Sequence, residues 1–465
     1  MLTPRIGLLP FYIALYDNAM PELRTRLEPF VQTIADVLTA KGIEVFPAKP
    51  CCVRSEFLAA VRLFEEREVD AIVTLHLAYS PSLESVDVLA GTHLPVIVLD
   101  TTPTAAFGPE QKAEEILYNH GIHGVQDFCN LLIQRGKPFC IEAGHWQGDV
   151  LDRIKRQVLA LAMRRTYQQL RIGQLGQSFP GMGDFAVSES TIRDKLGFTI
   201  VQGHFAQIRT IIEQLTETDI QAEITRNKND FNQPSCSDFV LRQAAIAGLA
   251  LRQWLADEQL AGFSINFLDV DKQSHFTAMP FLEISKSMAR GIGYAGEGDV
   301  LTASLMSILA AVTPAVSFVE MFCPDWRNNS LFLSHMGEAN IDLMAGRPVL
   351  SEMKFNYTDV GPTVAAFGAF KPGNVTLVNL APIGNGRFHL IISPGTMLEA
   401  HHDDDLQCNI RGWFKPQLPL ENYLAAYSQL GGTHHSVVVY DADVNLIRLF
   451  GDAMGWEVKL LTQSS

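Results

Sequence analysis

Ala71-Ile72-Val73-Thr74-Leu75 is a short, almost wholly apolar run that ends directly before a histidine. Similar runs recur in the first third of the chain, and helix-length segments such as 22–40 and 55–67 separate them; they lie at 6–9, 44–46, 96–99 and 139–141. Continuous apolar strands that alternate with amphipathic helices are typical of a parallel sheet with both faces covered. The first third is therefore predicted to be a doubly wound, Rossmann-like domain that binds ligands beyond the carboxyl ends of its strands.

The alternation continues into the middle third of the chain and then changes character. Strand-like runs at 171–175, 198–201 and 263–267 alternate with helix-like segments at 238–258 and 279–290. In the last third, strand-like segments predominate over two helix candidates, 420–429 and 444–455; the strands lie at 375–380, 388–392, 409–414 and 436–440. We predict an α/β protein with two doubly wound parallel-sheet (Rossmann-like) domains, 1–170 and 171–315, and a mainly β C-terminal domain, 316–465.

The composition limits the classes of partner. The 465 residues include 36 Lys plus Arg and 51 Asp plus Glu, which gives a formal net charge of −15. Because phosphate binding needs a basic face, nucleic acid is excluded as the main partner. Binding to anionic lipid through a cluster of basic residues is excluded for the same reason. The seven cysteines include no C-x-x-C pair, and the N-terminus resembles a first strand rather than a signal peptide, so we expect a cytoplasmic protein.

One segment is long enough to resemble a membrane span. Residues 300–319 carry no charge, and about 20 apolar residues can cross a bilayer. However, Pro314 and several hydroxyl side chains interrupt the apolar character, and no basic cluster sets an orientation. The segment is predicted to be a buried helix followed by a buried strand, with no membrane partner.

Two motifs resemble binding sites but carry little weight. Gly291-Ile292-Gly293-Tyr294-Ala295-Gly296 matches the dinucleotide pattern, but it follows a helix-like segment and lacks an acid about 20 residues later, so the glycines are expected to form a tight turn beside Glu297. The run His401-His402-Asp403-Asp404-Asp405 resembles a metal site, yet consecutive loop residues seldom converge on one ion. We expect that run to be a solvated loop.

The candidate chemistry lies in two carboxylates and two groups of imidazoles. Glu297 and Glu320 bracket the uncharged run, where a carboxylate must be paired, protonated or bound to metal. His335 follows in apolar surroundings, and His434-His435 follow a Gly-Gly turn at the entry to a strand. A mixed oxygen and nitrogen set without thiolate suits Mn²⁺, Co²⁺ or Mg²⁺. Spacing alone does not show that these side chains meet.

Four blocks of sequence, in this order, resemble the L-arabinose isomerase/L-fucose isomerase family, and the arabinose isomerase branch most. The blocks are Tyr294-Ala295-Gly296-Glu297-Gly298-Asp299, Ser317-Phe318-Val319-Glu320, Ser334-His335-Met336 and Gly431-Gly432-Thr433-His434-His435. Tyr79-Ser80-Pro81 and His123-Gly124 resemble the substrate-side loops of that family more faintly.

The resemblance implies a metal-dependent aldose–ketose isomerase that acts on a free aldose through a cis-enediol. It implies a Mn²⁺-like ion, with Co²⁺ or Mg²⁺ as other possibilities, held by Glu297, Glu320, His335 and His434, with His435 as the alternative to His434. Both glutamates would also move protons. It further implies a homotrimer or homohexamer with shared active sites, where a sugar would meet these substrate-binding residues: Tyr79, His120, His123 and Met336.

Several stretches depart from the family pattern at positions expected to face the sugar. The N-terminal loop 10–17 lacks the expected glutamine segment, His120 replaces a glutamine, and 321–326 differs from the usual tyrosine-rich stretch. The alternatives are therefore an isomerase of the same chemistry with another aldose, such as a 6-modified hexose, a non-catalytic sugar-binding or regulatory protein on a related fold, and another metal-assisted enzyme such as an aldolase or lyase. Metal content separates the second alternative, and product analysis separates the third.

Overall fold

The computed structural model describes residues 2–232, 236–271, 274–400 and 405–463. The chain divides into two compact units, Leu2–Arg165 and the remainder from Thr166 onward. The predicted boundaries of three domains, at 1–170, 171–315 and 316–465, stay a prediction. The run His401-His402-Asp403-Asp404 lies outside the described residues.

The first unit is built on one parallel sheet of five strands in the order β2-β1-β3-β4-β5. Its strands are β1 Arg5–Phe11, β2 Glu44–Pro47, β3 Ala71–His76, β4 Val96–Asp100 and β5 Phe139–Ala143. Its helices are α1 Ala14–Ala19, α2 Pro21–Ala40, α3 Arg54–Glu66, α4 Val86–Gly91, α5 Ile116–Asn119, α6 Ile122–Gln134 and α7 Val150–Tyr167.

Two hydrophobic clusters cover this sheet. Ile6 and Leu8 belong to one cluster with α2 and α7, whereas Leu9 and Phe11 belong to the other with α3, α4 and α6. Because successive side chains of a strand point to opposite faces, the two clusters lie on opposite faces of the sheet. The almost continuous apolar runs of the sequence follow from this two-sided burial.

The second unit begins with another parallel sheet, of four strands in the order β7-β6-β8-β9. Its strands are β6 Arg171–Leu175, β7 Thr199–Gly203, β8 Gly262–Ile265 and β9 Gly293–Gly296. Its helices are α8 Glu189–Thr191, α9 Phe205–Gln214, α10 Glu217–Asp230, α11 Asp238–Asp257, α12 Phe281–Ala289 and α13 Val300–Ala310. The glycine run 291–296 is mostly strand β9 and follows α12, so it does not form the strand-to-helix turn of a dinucleotide site.

The rest of the second unit is mainly β. Six antiparallel strands close into a barrel in the order β14-β17-β10-β11-β16-β15, and β15 pairs back with β14. These elements are β10 Val316–Asp325, β11 Ser330–Ser334, β14 Gly373–Pro382, β15 Phe388–Leu398, β16 Gly412–Pro416 and β17 His435–Tyr440. Outside the barrel are β12 Val349–Met353, β13 Thr363–Phe367, α14 Leu420–Gln429, α15 Val444–Met454 and β18 Glu457–Leu460, which pairs parallel with β15.

The predicted arrangement of parallel α/β sheets followed by a mainly β C-terminal region is confirmed. The doubly wound, Rossmann-like description stays a prediction. The uncharged run 300–319 forms the buried helix α13 and the start of the buried strand β10, as expected. Among the described residues, no helix combines the length and the apolar character that crossing a bilayer requires.

A network of buried charges joins three helices of the second unit. Arg252 on α11 donates to Glu223 on α10 and to Glu283 on α12, at 2.6–3.0 Å, and Lys286 also pairs with Glu223. Burial would raise the pKa of Glu223, but Arg252 and Lys286 lower it to about 2. The network fixes α12, the helix that leads through Arg290 into β9 and towards Glu297.

Replacing Arg252 should therefore destabilise the second unit strongly. Arg252→Met removes four hydrogen bonds from two buried carboxylates, which keep only Lys286 as a shared partner. We expect the free energy of unfolding to fall by about 3 kcal/mol in urea titrations. The matched control is Arg209→Met, because Arg209 pairs with Glu213 on an exposed face, where such a pair contributes at most about 1 kcal/mol. Equal effects of the two substitutions would contradict this account.

Candidate metal centre

The strand pairing of the barrel brings Glu320 and the two groups of imidazoles together. In β10, Glu320 lies directly opposite His435 on β17 and opposite Ser334 on β11, and His335 follows Ser334. Cross-strand neighbours of this kind have Cβ atoms about 5 Å apart. The donor atoms of Glu320, His335 and His435 accordingly lie within 4.8 Å of one another.

A second set of donors shares His435. The donor atoms of Glu297, His434 and His435 also lie within 4.8 Å of one another. Nε2 of His435 is 3.3 Å from Oε2 of Glu297, and Nε2 of His434 is 3.5 Å from the same oxygen. His435 is therefore the residue common to both sets, whereas His434 belongs to one.

A buried carboxylate fixes the ring of His435. Its Nδ1 lies 2.9 Å from Oδ2 of Asp299, and both side chains are fully buried. The other oxygen of Asp299 accepts a hydrogen bond from the backbone N–H of Thr302 and so caps α13. Because a carboxylate can only accept, we assign the Nδ1 proton to the bond with Asp299, which leaves Nε2 directed at Glu297.

His335 also has a carboxylate beside it, although its Nδ1 has no hydrogen-bond partner among the described residues. Its Nδ1 lies 3.1 Å from Oε1 of Glu338, which accepts a hydrogen bond from the hydroxyl of Tyr294 at 2.8 Å. The ring of Phe318 packs edge-on against both His335 and His435, at 4.7 and 4.9 Å between ring centroids. The fully buried ring of Phe318 thus forms an apolar wall against both imidazoles.

Glu297 lies in a turn whose backbone is left-handed, a conformation that glycine adopts more readily than other residues. Its φ is +64°, and that of Gly298 is +81°. Left-handed backbone at a non-glycine residue is uncommon and is often found at functional sites. Hydrogen bonds from the backbone N–H of Glu297 to Ile265, and from Phe179 to the carbonyl of Glu297, hold the turn in place.

The two carboxylates have pKa values displaced in opposite directions by their surroundings. Burial alone would raise the pKa of Glu297, but the imidazoles of His434 and His435 lower it to about 2. Burial raises the pKa of Glu320, and the nearby His335 and His435 offset that rise only in part. One carboxylate is thus held ionised, while the other accepts a proton more readily.

The donor set fits a divalent ion. Among the described residues, Oε2 of Glu297 and Nε2 of both His434 and His435 are buried without a hydrogen-bond partner. The donor atoms of each group lie within 4.8 Å of one another, and two metal–nitrogen bonds on opposite sides of an ion span about 4.2 Å. Carboxylate and imidazole donors without thiolate match Mn²⁺, Co²⁺ or Mg²⁺ better than a softer ion.

The structure thus brings together five of the residues predicted from the sequence, namely Glu297, Glu320, His335, His434 and His435. Met336 follows His335 and is 42% exposed at the edge of a small pocket that Glu297 and His335 also line. The roles of these residues stay predictions.

The three other predicted sugar-binding residues lie in the first unit, at the carboxyl ends of its strands. Tyr79 follows β3, and both ring nitrogens of His120 have partners, the carbonyl of Leu117 and the hydroxyl of Tyr16, each at 3.1 Å. His123 is exposed in the first turn of α6. The sequence therefore placed these residues at a ligand-binding edge, although His120 has little hydrogen-bonding capacity left.

Sequence reasoning missed the residues that orient the imidazoles. Asp299 stands in the motif that contains Glu297, and Glu338 stands three residues after His335, so each could have been found by asking which carboxylate neighbours a ligand. Asp184 contacts His434 from a loop far away in the sequence, and no local pattern marks it.

Family models match the greater part of the second unit. The model of the L-arabinose isomerase central domain matches residues 180–315, and that of the L-arabinose isomerase C-terminal domain matches residues 315–457. Together they cover more than half of the chain. The chain belongs to the L-arabinose isomerase family. It is therefore an aldose–ketose isomerase.

Individual relatives agree with this assignment along most of the chain. An L-arabinose isomerase of Erwinia tasmaniensis is 24% identical, over 96% of this chain and 92% of its own length. One from Shewanella baltica is 26% identical, over 73% of this chain and 69% of its own.

Among solved structures, a glucose–galactose binding protein from Geobacillus stearothermophilus has a TM-score of 0.17 at 12% identity, over 68% of this chain and 92% of its own.

Gly298→Ala should disturb the metal centre. An added Cβ would lie 2.6 Å from Cα of Ser178 and would also force an L side chain into φ +81°. We expect Gly298→Ala to lower the thermal stability and to weaken Mn²⁺ binding in calorimetric titrations. Gly181→Ala is the matched control, because Gly181 has φ +93° with no heavy atom within 4 Å of the added Cβ, so it carries only the backbone cost of about 1 kcal/mol. Weaker Mn²⁺ binding in both variants would show that the close approach is irrelevant.

Proposed function

We propose that this isomerase is metal-dependent and that Glu297, Glu320, His335 and His435 hold one divalent ion, with Mn²⁺ the expected ion and Co²⁺ or Mg²⁺ as alternatives. The observation that carries the proposal is that two groups of donor atoms share His435, and that Nε2 of His435 and Oε2 of Glu297 are buried without a hydrogen-bond partner in the described part of the chain. The proposal takes His435 in place of His434, which the sequence favoured. His435 is fully buried, belongs to both donor sets and has its Nδ1 held by Asp299.

We propose a cis-enediol route between the aldose and the ketose. A bound divalent ion would supply Lewis acidity to the two substrate oxygens at C1 and C2. Glu297 and Glu320 carry the two proton transfers that the isomerisation requires, one from C2 to C1 and one from the hydroxyl oxygen O2 to the carbonyl oxygen O1. A carboxylate beside two such atoms can take the proton from one and return it to the other.

The substrate is proposed to be a free aldose whose identity the pocket residues decide. Met336 lies beside the metal centre, and Tyr79, His120 and His123 are proposed to contact the sugar from a neighbouring subunit of a homotrimer or homohexamer. His120 replaces a glutamine of the family pattern, and both its ring nitrogens have partners in the chain. That difference favours an aldose other than L-arabinose, such as a 6-modified hexose. A cytoplasmic location is proposed from the sequence, whose seven cysteines include no C-x-x-C pair.

Replacing either carboxylate by its amide should abolish turnover without unfolding the protein. Glu297→Gln and Glu320→Gln keep the shape of the side chain but remove an anionic ligand and a proton carrier. We expect both variants to fold and to bind Mn²⁺ at least about tenfold more weakly, because each loses one anionic metal ligand. We expect kcat to fall at least about 1,000-fold, because acid–base catalysis alone contributes about 10²–10⁴-fold. Circular dichroism, calorimetry and ketose formation are the measurements. Substantial turnover in either variant would rule out this assignment.

A screen of aldoses tests the substrate proposal. The Mn²⁺-loaded protein is incubated with L-arabinose, D-galactose, L-fucose, L-rhamnose and 6-sulfonated or 6-phosphorylated hexoses, and ketose is measured by chromatography. We expect ketose from at least one of these sugars and a lower kcat/KM for L-arabinose than for the best of them. Formation of two smaller fragments would identify an aldolase, and binding without any product would identify a sugar-binding protein.

A further inference from the structure

Asp184 makes two hydrogen bonds to one residue of the candidate metal centre. Its Oδ2 accepts the backbone N–H of His434 at 3.0 Å and lies 2.6 Å from Nδ1 of the same residue. Since a carboxylate only accepts, Nδ1 is the protonated nitrogen of this contact. The backbone and the ring of His434 are thus both fixed by a single carboxylate.

The loop that carries Asp184 is itself tied to the centre. It occupies residues 176–188, after β6, and its Phe179 donates a backbone hydrogen bond to the carbonyl of Glu297 at 2.9 Å. Phe185, which follows Asp184 in the sequence, is buried. Its ring stacks on that of His435, with 5.3 Å between the ring centroids and an interplanar angle of 12°. Asp184 is therefore held in place from both sides, by the turn that contains Glu297 and by the packing of its neighbour on His435.

The ring of His434 consequently has one nitrogen left for other contacts. Its Nε2 lies 3.5 Å from Oε2 of Glu297 and is among the buried atoms without a hydrogen-bond partner in the described ranges. The side chain is 30% exposed, whereas that of His435 is fully buried. His434 is also absent from the donor set that contains Glu320 and His335. It stands at the open rim of the centre rather than in its interior.

We propose that Asp184 is a positioning residue that aims Nε2 of His434 at an oxygen of the sugar, and that His434 is not a metal ligand. This inference rests on the proposed function, because the sugar oxygens must be bound beside Glu297. Four donors, Glu297, Glu320, His335 and His435, already suffice for an ion that also binds two sugar oxygens. The remaining imidazole at the rim can then exchange a hydrogen bond with a hydroxyl or carbonyl oxygen of the open-chain aldose.

The chain offers a matched control for the charge of Asp184. Asp269 accepts a hydrogen bond at 2.7 Å from the backbone N–H of Gln177, in the same loop. Asp269→Asn and Asp184→Asn therefore remove the same charge from two anchors of one loop, but only Asp184 touches His434. If the contact between Asp184 and His434 only anchored the loop, the two substitutions would change KM and kcat by similar factors.

The experiment compares the full-length wild type with Asp184→Asn, Asp269→Asn, His434→Gln and His435→Gln. Mn²⁺ affinity is measured by calorimetry without sugar, and kcat and KM are measured with the aldose of highest kcat/KM in the panel above. We expect Mn²⁺ affinity within about threefold of wild type for Asp184→Asn and His434→Gln, and a loss of about 100-fold for His435→Gln. We expect KM to rise about tenfold for Asp184→Asn, with a smaller change in kcat, because the bond is already made in the bound sugar. Asp269→Asn should stay within about twofold of wild type in both assays.

Three results would overturn the inference. If His434→Gln loses Mn²⁺ as His435→Gln does, His434 is a ligand. If Asp184→Asn keeps the wild-type KM, the contact does not orient a sugar-binding ring. If Asp269→Asn matches Asp184→Asn, the contact is only a loop anchor. Failure of the proposed function is distinguishable, because it would appear as no ketose from any sugar of the panel with the wild-type protein, while the Mn²⁺ titrations would still decide whether His434 is a ligand.

Discussion

The candidate metal centre depends above all on the pairing of β10 with its two neighbours in the barrel, β17 and β11. That pairing sets Glu320 opposite His435 on one side and opposite Ser334, next to His335, on the other. Because a register shift by one residue would turn every side chain of a strand to the other face, the closed barrel fixes which side chains meet. The parallel sheet of the second unit adds Glu297 from the turn after β9.

Each imidazole of the centre is accompanied by its own carboxylate. Asp299 contacts His435, Glu338 lies beside His335, and Asp184 holds His434. Asp299 and Asp184 accept a hydrogen bond from one ring nitrogen and so fix where the other nitrogen points. Such partners of metal-binding histidines change metal affinity by about 10–100-fold. A small group of the acidic side chains thus lies in or beside the candidate metal centre, while most of the others are exposed to solvent.

Much of the fold could be predicted from the sequence because burial leaves clear patterns. The runs at 71–75 and 96–99 are continuous and apolar, since helices cover both faces of their sheet, and they are strands β3 and β4. Strand β9 was missed, because its sequence is rich in glycine and lacks the apolar pattern of a strand. Gly293 allows the close packing of β9 against Ala303 and Ser307 of α13, and Gly296 lies against the ring of His335.

The candidate site could be predicted only as far as local motifs reach. Glu297, Glu320 and His335 each stand in a recognisable block, but the choice between His434 and His435 depends on where β17 begins and which way its first side chain points, and sequence does not fix either. The most direct test of the account is ketose formation before and after chelation. Removal of divalent ions is expected to abolish ketose formation, and about one Mn²⁺ per chain is expected to restore it. Full activity in the chelated, metal-free protein would contradict this expectation.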